Sequence, residues 1–158
     1  MNFTPRRAEI PTASPREVYN KLEKYMATEL VTLGPDLSIT KAMELLLKHQ
    51  ISGATVLDEN RKIVGMLTEK DCLRVLIDSA YNNMPYRDRK VRDYMTDEVR
   101  TVSLEQDLID VAYEFLNSNF RRFPVVHNGR LVGQVSRRDV LRAALDIKRT
   151  TWDKAGKR

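Results

Sequence analysis

The 158 residues include one cysteine, two histidines and one tryptophan. The lone Cys72 cannot close a disulfide within the chain. One cysteine and two histidines cannot by themselves build a Cys/His metal centre, so no metal site is expected. Nor does the inventory assemble into a Ser/His/Asp, Cys/His or paired-carboxylate constellation, which argues against an enzyme. No apolar run approaches the roughly 20 residues that a bilayer demands, and residues 1–14 hold no apolar stretch of a secretory signal. Membrane-spanning, secreted and zinc-finger readings are thereby set aside, and a soluble cytoplasmic protein is expected. The 42% of apolar and 31% of charged residues are the balance of a folded chain. Its length suits one ordinary domain or two small ones sharing a core.

The net charge of +5 raises the question of nucleic acid. Residues 1–17 set Arg6, Arg7 and Arg16 against Glu9 and Glu17, a net +1. Residues 146–158 set five lysines and arginines against Asp146 and Asp153, a net +3. The stretch between them keeps +1. Basicity gathered in two tails differs from the basic stripe of a nucleic-acid surface, so nucleic acid is not the expected partner.

The chain repeats itself. Tyr25-Met26 recurs as Tyr94-Met95, an offset of 69 that also carries Thr32 to Thr101, Leu47 to Leu116 and Val56-Leu57 to Val125-Val126. After a turn one residue shorter the offset becomes 68, and Gly65, Thr68, Asp71 and Leu73 fall on Gly133, Ser136, Asp139 and Leu141. About fifty residues match in each half, with the one gap in a turn. An internal repeat fixes architecture.

Each half reads alike. A short extended entry (30–33; 99–102) precedes a helix at about 38–49 or 107–118. Apolar residues lie on one face of each helix at 3-4 spacing: Ile39, Ala42, Met43, Leu46 and Leu47, then Leu108, Val111, Ala112, Phe115 and Leu116. A strand (54–57; 123–126), a turn and a second strand (62–67; 131–135) follow, then a helix of about ten residues. Asn128-Gly129 marks the second hairpin turn, because both residues tolerate positive φ. Such hairpins are too short to stand alone. An α+β fold follows: two β-α-β-β-α units packed into one module. Residues 1–20 read as a tail, 21–80 and 94–147 as the repeats, 81–93 as a linker and 148–158 as a fraying basic tail.

Both second strands end in the same pattern, Gly65-x-x-Thr68-x-x-Asp71 and Gly133-x-x-Ser136-x-x-Asp139. Thr/Ser-x-x-Asp before a helix is a capping box, worth about 1 kcal/mol per cap. Capping leaves the strand glycine unexplained, and such a glycine marks the close approach of another group. A helix start offers amides and a positive dipole end to a phosphate. A carboxylate can accept hydrogen bonds from the vicinal hydroxyls of a ribose. The pattern suits a nucleoside phosphate.

The repeat resembles the CBS domain, named from cystathionine β-synthase, and the chain resembles a tandem pair over residues 21–147. The resemblance rests on the openings Glu23-Lys24-Tyr25-Met26 and Val91-Arg92-Asp93-Tyr94-Met95-Thr96, the strands 51–58 and 120–126, and the two Gly-x-x-Thr/Ser-x-x-Asp segments. It implies repeats related by a pseudo-twofold axis, forming two clefts that bind adenosine ligands: AMP, ADP, ATP or, less favoured, S-adenosylmethionine. Asp71 and Asp139 are implied to hold ribose, and Thr68 and Ser136 to reach phosphate. Thr32 and Thr101, with the backbone of Gly53-Ala54 and Arg122-Phe123, are implied to line adenine. Thr55 stands where the family usually has proline, as Pro124 does in the second repeat.

The halves differ in charge: residues 121–142 carry +5 and residues 52–74 are neutral. Phosphate is therefore expected in the cleft lined by the second repeat. The resemblance implies a phosphate contact from the basic residue just before the Pro-Val strand, here Arg122 with Arg121 beside it. Arg137 and Arg138 are further candidates in the same basic stretch. The expected function is a non-enzymatic sensor with no obligatory cofactor, in which adenine nucleotide shifts the packing of repeats or of a homodimer and so signals to a separate regulated protein. The alternatives are a ligand-free protein-interaction module, with the motifs as caps, and nucleic-acid binding through the tails.

Overall fold

A computed structural model describes residues 22–83 and 85–155, with side chains through residue 148. The proline-containing tail lies outside the described residues. The order is α1 (Leu22–Tyr25), β1 (Thr32–Leu33), α2 (Ile39–Lys48), β2 (Gly53–Leu57), β3 (Ile63–Thr68) and α3 (Glu69–Tyr81), then β4 (Val102–Ser103), α4 (Leu108–Leu116), β5 (Arg122–His127), β6 (Arg130–Ser136) and α5 (Arg137–Ala155). Two 3₁₀ turns, Tyr86–Asp88 and Val91–Asp93, join the halves.

Each half forms its own three-stranded sheet, β1-β2-β3 and β4-β5-β6. In each, the first pair is parallel and the second antiparallel. The helix of each parallel crossover starts at a side-chain cap: Ser38 Oγ accepts the Lys41 amide at 3.2 Å, and Asp107 Oδ1 the Asp110 amide at 2.9 Å. The buried faces, Ile39/Ala42/Leu46 and Leu108/Val111/Phe115, lie at 3-4 spacing as the sequence predicts. Leu47 and Leu116 do not join them; both stand 75% or more exposed at equivalent helix ends. The second hairpin turns through positive φ at Asn128 and Gly129. The first turns on Asp58, whose Oδ1 accepts the amides of Asn60 and Lys62, with Arg61 at positive φ.

The units exchange their openings. Leu22 of α1, with Tyr25 and Met26, packs into the core of the second repeat. Val91 and Tyr94, with Met95, pack into the first. Two antiparallel bridges lock the exchange, Ala27 to Gln134 on β6 and Thr96 to Met66 on β3. The backbone bonds in these bridges run at 2.8–2.9 Å. Positions 27 and 96 are repeat equivalents, as are 66 and 134, so the exchange is reciprocal about a pseudo-twofold axis.

Residues 89–93 are consequently a packing element rather than linker. Val91 is fully buried, and its amide and that of Arg92 donate to the Leu37 and Pro35 carbonyls. Lys90 and Arg92 both pair with Asp36, and the Lys90 hydrogen bond leads the causes that lower the Asp36 pKa. Tyr94 O–H donates to Asp78 of α3 at 3.2 Å. At the other end, α5 continues through Ala155, so the helix takes in most of the segment read as a fraying tail. Its 19 residues, like the 13 of α3, exceed the ten anticipated.

The exchange explains the strand glycines. A Cβ on Gly65 would lie 2.5 Å from Met95 Sδ and 3.0 Å from the Thr96 carbonyl oxygen. On Gly133 it would lie 2.7 Å from Met26 Sδ and 2.8 Å from the Ala27 oxygen. The approaching group is the other repeat's opening, and the glycines are not evidence for a ligand. Gly65→Ala and Gly133→Ala are each expected to cost about 1–3 kcal/mol in urea unfolding. Adding Met95→Ala should restore most of the loss at position 65. Adding Met26→Ala should not do so at position 133, where backbone blocks. A neutral Gly133→Ala would contradict this packing.

Candidate functional site

Where β5 and β6 of the second repeat face the first repeat, the chain forms an open cleft of about 330 Å³. That lies at the lower end of the ~300–1,000 Å³ of small-molecule sites. One wall is the segment 27–31, which follows the exchanged opening, and another is formed by His49, Ile51 and Gly53 of the first repeat. The second repeat supplies Arg122 from β5, Gln134 and Ser136 from β6, and Asp139 from the first turn of α5.

The pairing Arg122 to Ser136 across β5 and β6 sets two of these side by side. A three-residue step from Ser136 onto the helix brings Asp139 back over it. Asp139 Oδ2 accepts the Ser136 amide and the Ser136 hydroxyl, both at 2.8 Å, and Ser136 Oγ accepts the Asp139 amide at 3.2 Å. The same box closes in the first repeat, where Asp71 Oδ2 accepts from Thr68 N at 2.9 Å and Thr68 Oγ1 at 2.7 Å. Both motifs are therefore true capping boxes.

Capping limits what the helix start can give a ligand. The Ser136 hydroxyl proton points to Asp139, so donating it to a phosphate means breaking that bond. The Ser136 and Asp139 amides serve the box, and the Arg137 amide donates to the Arg121 carbonyl at 3.3 Å. Asp139 Oδ1 lies outside the box and pairs with Arg142 one turn along α5. That guanidinium is 63% exposed, and Asp139 is 14% exposed. With its arginine mostly in solvent, this pair yields readily.

Arg122 behaves differently. It is half-buried, it lines the cleft, and its Nε is buried without a hydrogen-bond partner among the described residues. An unmet buried N–H costs about 1–3 kcal/mol, and an oxygen ligand in the cleft would meet it.

Of the anticipated site residues, Gly53, Arg122, Ser136 and Asp139 come together around this cleft. Thr68 and Asp71 sit at the matching corner of the first repeat. There Gly53, the repeat equivalent of Arg122, pairs with Thr68, so that corner has no guanidinium from its own strand. Thr32 is exposed at the edge and pairs with Thr55; Thr101 is exposed just before β4. Ala54 and Phe123 are core residues, the Phe123 ring lying 4.6 Å from Phe115 and 5.7 Å from Phe120. Their side chains do not line the cleft.

The other arginines disperse. Arg121 and Arg138 are exposed, and Arg137 reaches the Ser118 carbonyl and lines a separate groove between α4 and α5. The net +5 of this stretch therefore does not converge on one anion. Glu29, His49 and Gln134 line the cleft without any sequence motif to announce them. The reciprocal bridge at Ala27 explains Glu29 and Gln134, because it carries segment 27–31 across to β6.

Cys72, beside Asp71, is buried in the first-repeat core, where burial first, then the Asp71 and Glu69 charges, push its thiol up to about 11. It is a protonated packing residue at neutral pH. Among the described residues there is no cluster of three or more metal-ligating side chains, and no helix is long and apolar enough to cross a membrane.

Comparison with known proteins agrees with this architecture. The CBS-domain family model matches residues 22–78 and 91–146. The chain is 30% identical over 165 residues to the chloroplastic CBS domain-containing protein CBSX1 of Arabidopsis thaliana, covering 88% of this chain and 70% of that one. It is similar to the crystal structure of CBSX2 in complex with AMP, with 32% identity and a TM-score of 0.67, covering 79% of this chain and 96% of that one. It is also similar to the CBS domain pair of MJ0100 in complex with 5′-methylthioadenosine and S-adenosyl-L-methionine. There the identity is 26% and the TM-score 0.66, over 78% of this chain and 94% of that one. Two interlocked β-α-β-β-α units, each matched by the same family model, place this chain in the CBS-domain family as a tandem pair.

Proposed function

We propose that the protein is a regulatory module that binds an adenosine phosphate in the cleft of Arg122, Ser136 and Asp139. The buried, unpartnered Nε of Arg122 carries this reading. A phosphate oxygen would satisfy it, and a guanidinium binds phosphate through charge-assisted bonds worth about 1.5–3 kcal/mol. Asp139 would accept the ribose hydroxyls through Oδ1, displacing Arg142, while Oδ2 keeps the cap. The apolar wall of Leu30, Val31 and Ile51, with Gly53 leaving room beside it, suits the flat face of adenine. The AMP-bound relative and the one holding S-adenosylmethionine support the ligand class.

The cleft is built from both repeats, so occupancy draws the 27–31 and 49–53 walls onto β5 and β6. The resulting shift is bounded by the ligand's preference for the closed arrangement, and a separate protein reads it. No catalytic step is assigned to the chain. Its single cysteine, kept as a buried thiol, fits a reducing compartment such as the cytoplasm.

The outer helical faces support a homodimer. Leu73, Leu76 and Ile77 of α3, and Leu141 and Leu145 of α5, are each more than half exposed. Leu73/Leu141 and Ile77/Leu145 are repeat equivalents, so the apolar face carries the internal pseudo-symmetry and suits a twofold partner. Light scattering at micromolar concentration should give twice the 18.3 kDa chain mass, and Leu73→Asp with Leu141→Asp should give the monomer. A monomeric parent protein would contradict the dimer.

Calorimetry tests the ligand. AMP should bind with a dissociation constant on the order of micromolar, about −8 kcal/mol. Arg122→Ala and Asp139→Ala should each weaken it about tenfold or more, and Asp71→Ala should leave this site's affinity within about twofold. The Asp139 variant also loses its cap, at about 1 kcal/mol of stability, so folding is checked in parallel. An Asp71-dependent site would move the ligand to the other corner. No heat from AMP, ADP, ATP or S-adenosylmethionine would leave a ligand-free interaction module.

A further inference from the structure

We infer that this cleft selects a nucleoside monophosphate over the di- and triphosphate, and that Glu29 sets the limit. The inference rests on the adenosine-phosphate reading above and adds the ligand's charge.

Three fully charged side chains line the cleft: Arg122, Asp139 and Glu29. Asp139 is the group assigned to ribose, which displaces Arg142, a guanidinium 63% exposed that does not line the cleft. Arg122 is thus the one lysine or arginine on the lining left for the phosphate. Glu29 lies on the 27–31 wall, is exposed, and makes no hydrogen bond or ion pair among the described residues. Among the described residues its carboxylate charge is uncompensated, and it lines the same space as the Arg122 guanidinium.

A single phosphate carries close to two negative charges at neutral pH and matches one guanidinium fork. Each added phosphate brings about one more charge. No second lysine or arginine lines the cleft to meet it: Arg137 is directed to Ser118, Arg121 and Arg138 are exposed outside the cleft, and the other basic side chain on the wall is His49. A longer chain must leave the Arg122 corner under the field of Glu29, or run out into solvent where the extra charges gain nothing. Either way the longer ligand binds no better than AMP, and repulsion makes it worse at low ionic strength. Adenosine itself forgoes the guanidinium contact. The cleft should therefore rank AMP above ADP above ATP, with adenosine below AMP.

The position has no acidic bias imposed by folding. Its side chain is exposed and makes no pair among the described residues, so changing it should not disturb the fold. The order itself is set by charge, and salt should compress it.

The experiment is calorimetric titration of the full chain with adenosine, AMP, ADP and ATP at low salt, with EDTA to remove Mg²⁺. It compares the parent with Glu29→Gln, Glu29→Lys and Asp139→Ala. The parent should prefer AMP to ATP by about fivefold or more. Glu29→Gln should reduce that ratio several-fold, and Glu29→Lys should abolish or reverse it. Equal affinity of the parent for AMP and ATP, or a ratio unmoved by both Glu29 variants, overturns the inference while AMP binding that depends on Asp139 upholds the site. AMP binding unaffected by Asp139→Ala, or no binding at all, overturns the site and the inference with it.

Discussion

The reciprocal exchange of openings is the constraint on which the rest depends. Each unit is a hairpin with one parallel strand and two helices, too small to bury its own sheet. The missing layer comes from the other repeat: Leu22 and Met26 for the second core, Val91, Tyr94 and Met95 for the first. The two bridges at Ala27 and Thr96 hold these layers in register. They demand glycine opposite, because thioether and carbonyl come within 2.5–3.0 Å of where a Cβ would stand. Folding of either half is thereby tied to the presence of the other.

The same exchange makes the cleft. Once Ala27 is fixed to Gln134, the next residues must cross from the second sheet back to β1 of the first, and in crossing they form a wall over Ser136 and Asp139. A site built in this way lies between two bodies and cannot be occupied without bearing on both. Local chemistry then limits it. The two caps consume the hydroxyl protons and much of the first-turn amide capacity, so in the proposed site recognition of an anion falls to a side chain from a strand. Arg122 stands at that place in the second repeat and Gly53 in the first, which breaks the chemical symmetry of a nearly symmetric scaffold.

Much of this was legible in the residues. The offset of 69, falling to 68 across a turn, announced the repeat, and 3-4 apolar spacing located α2 and α4 to within two residues at each end. Gly65 and Gly133 correctly signalled a close neighbour, but the signal does not distinguish a ligand from a thioether, and the neighbour proved to be Met95 or Met26. Charge counted along 121–142 does not gather in one place, because residues on alternate faces of a strand and around a helix point apart. Leu47 and Leu116 show the same limit at helix ends, where the apolar stripe runs past the core onto an outer face. Glu29 and His49 carry no motif, since their place in the cleft follows from the crossing of segment 27–31 and the end of α2. The length of α5 was hidden by the polar, basic composition of its last turns.

A crystal structure of the protein with AMP tests the central claim most directly. The account predicts phosphate oxygens within hydrogen-bond distance of the Arg122 guanidinium, ribose hydroxyls on Asp139 Oδ1 in place of Arg142, and adenine against Leu30, Val31 and Ile51. AMP seated at Thr68 and Asp71 with the Arg122 corner empty, or AMP in the cleft with Arg122 turned to solvent, would contradict it.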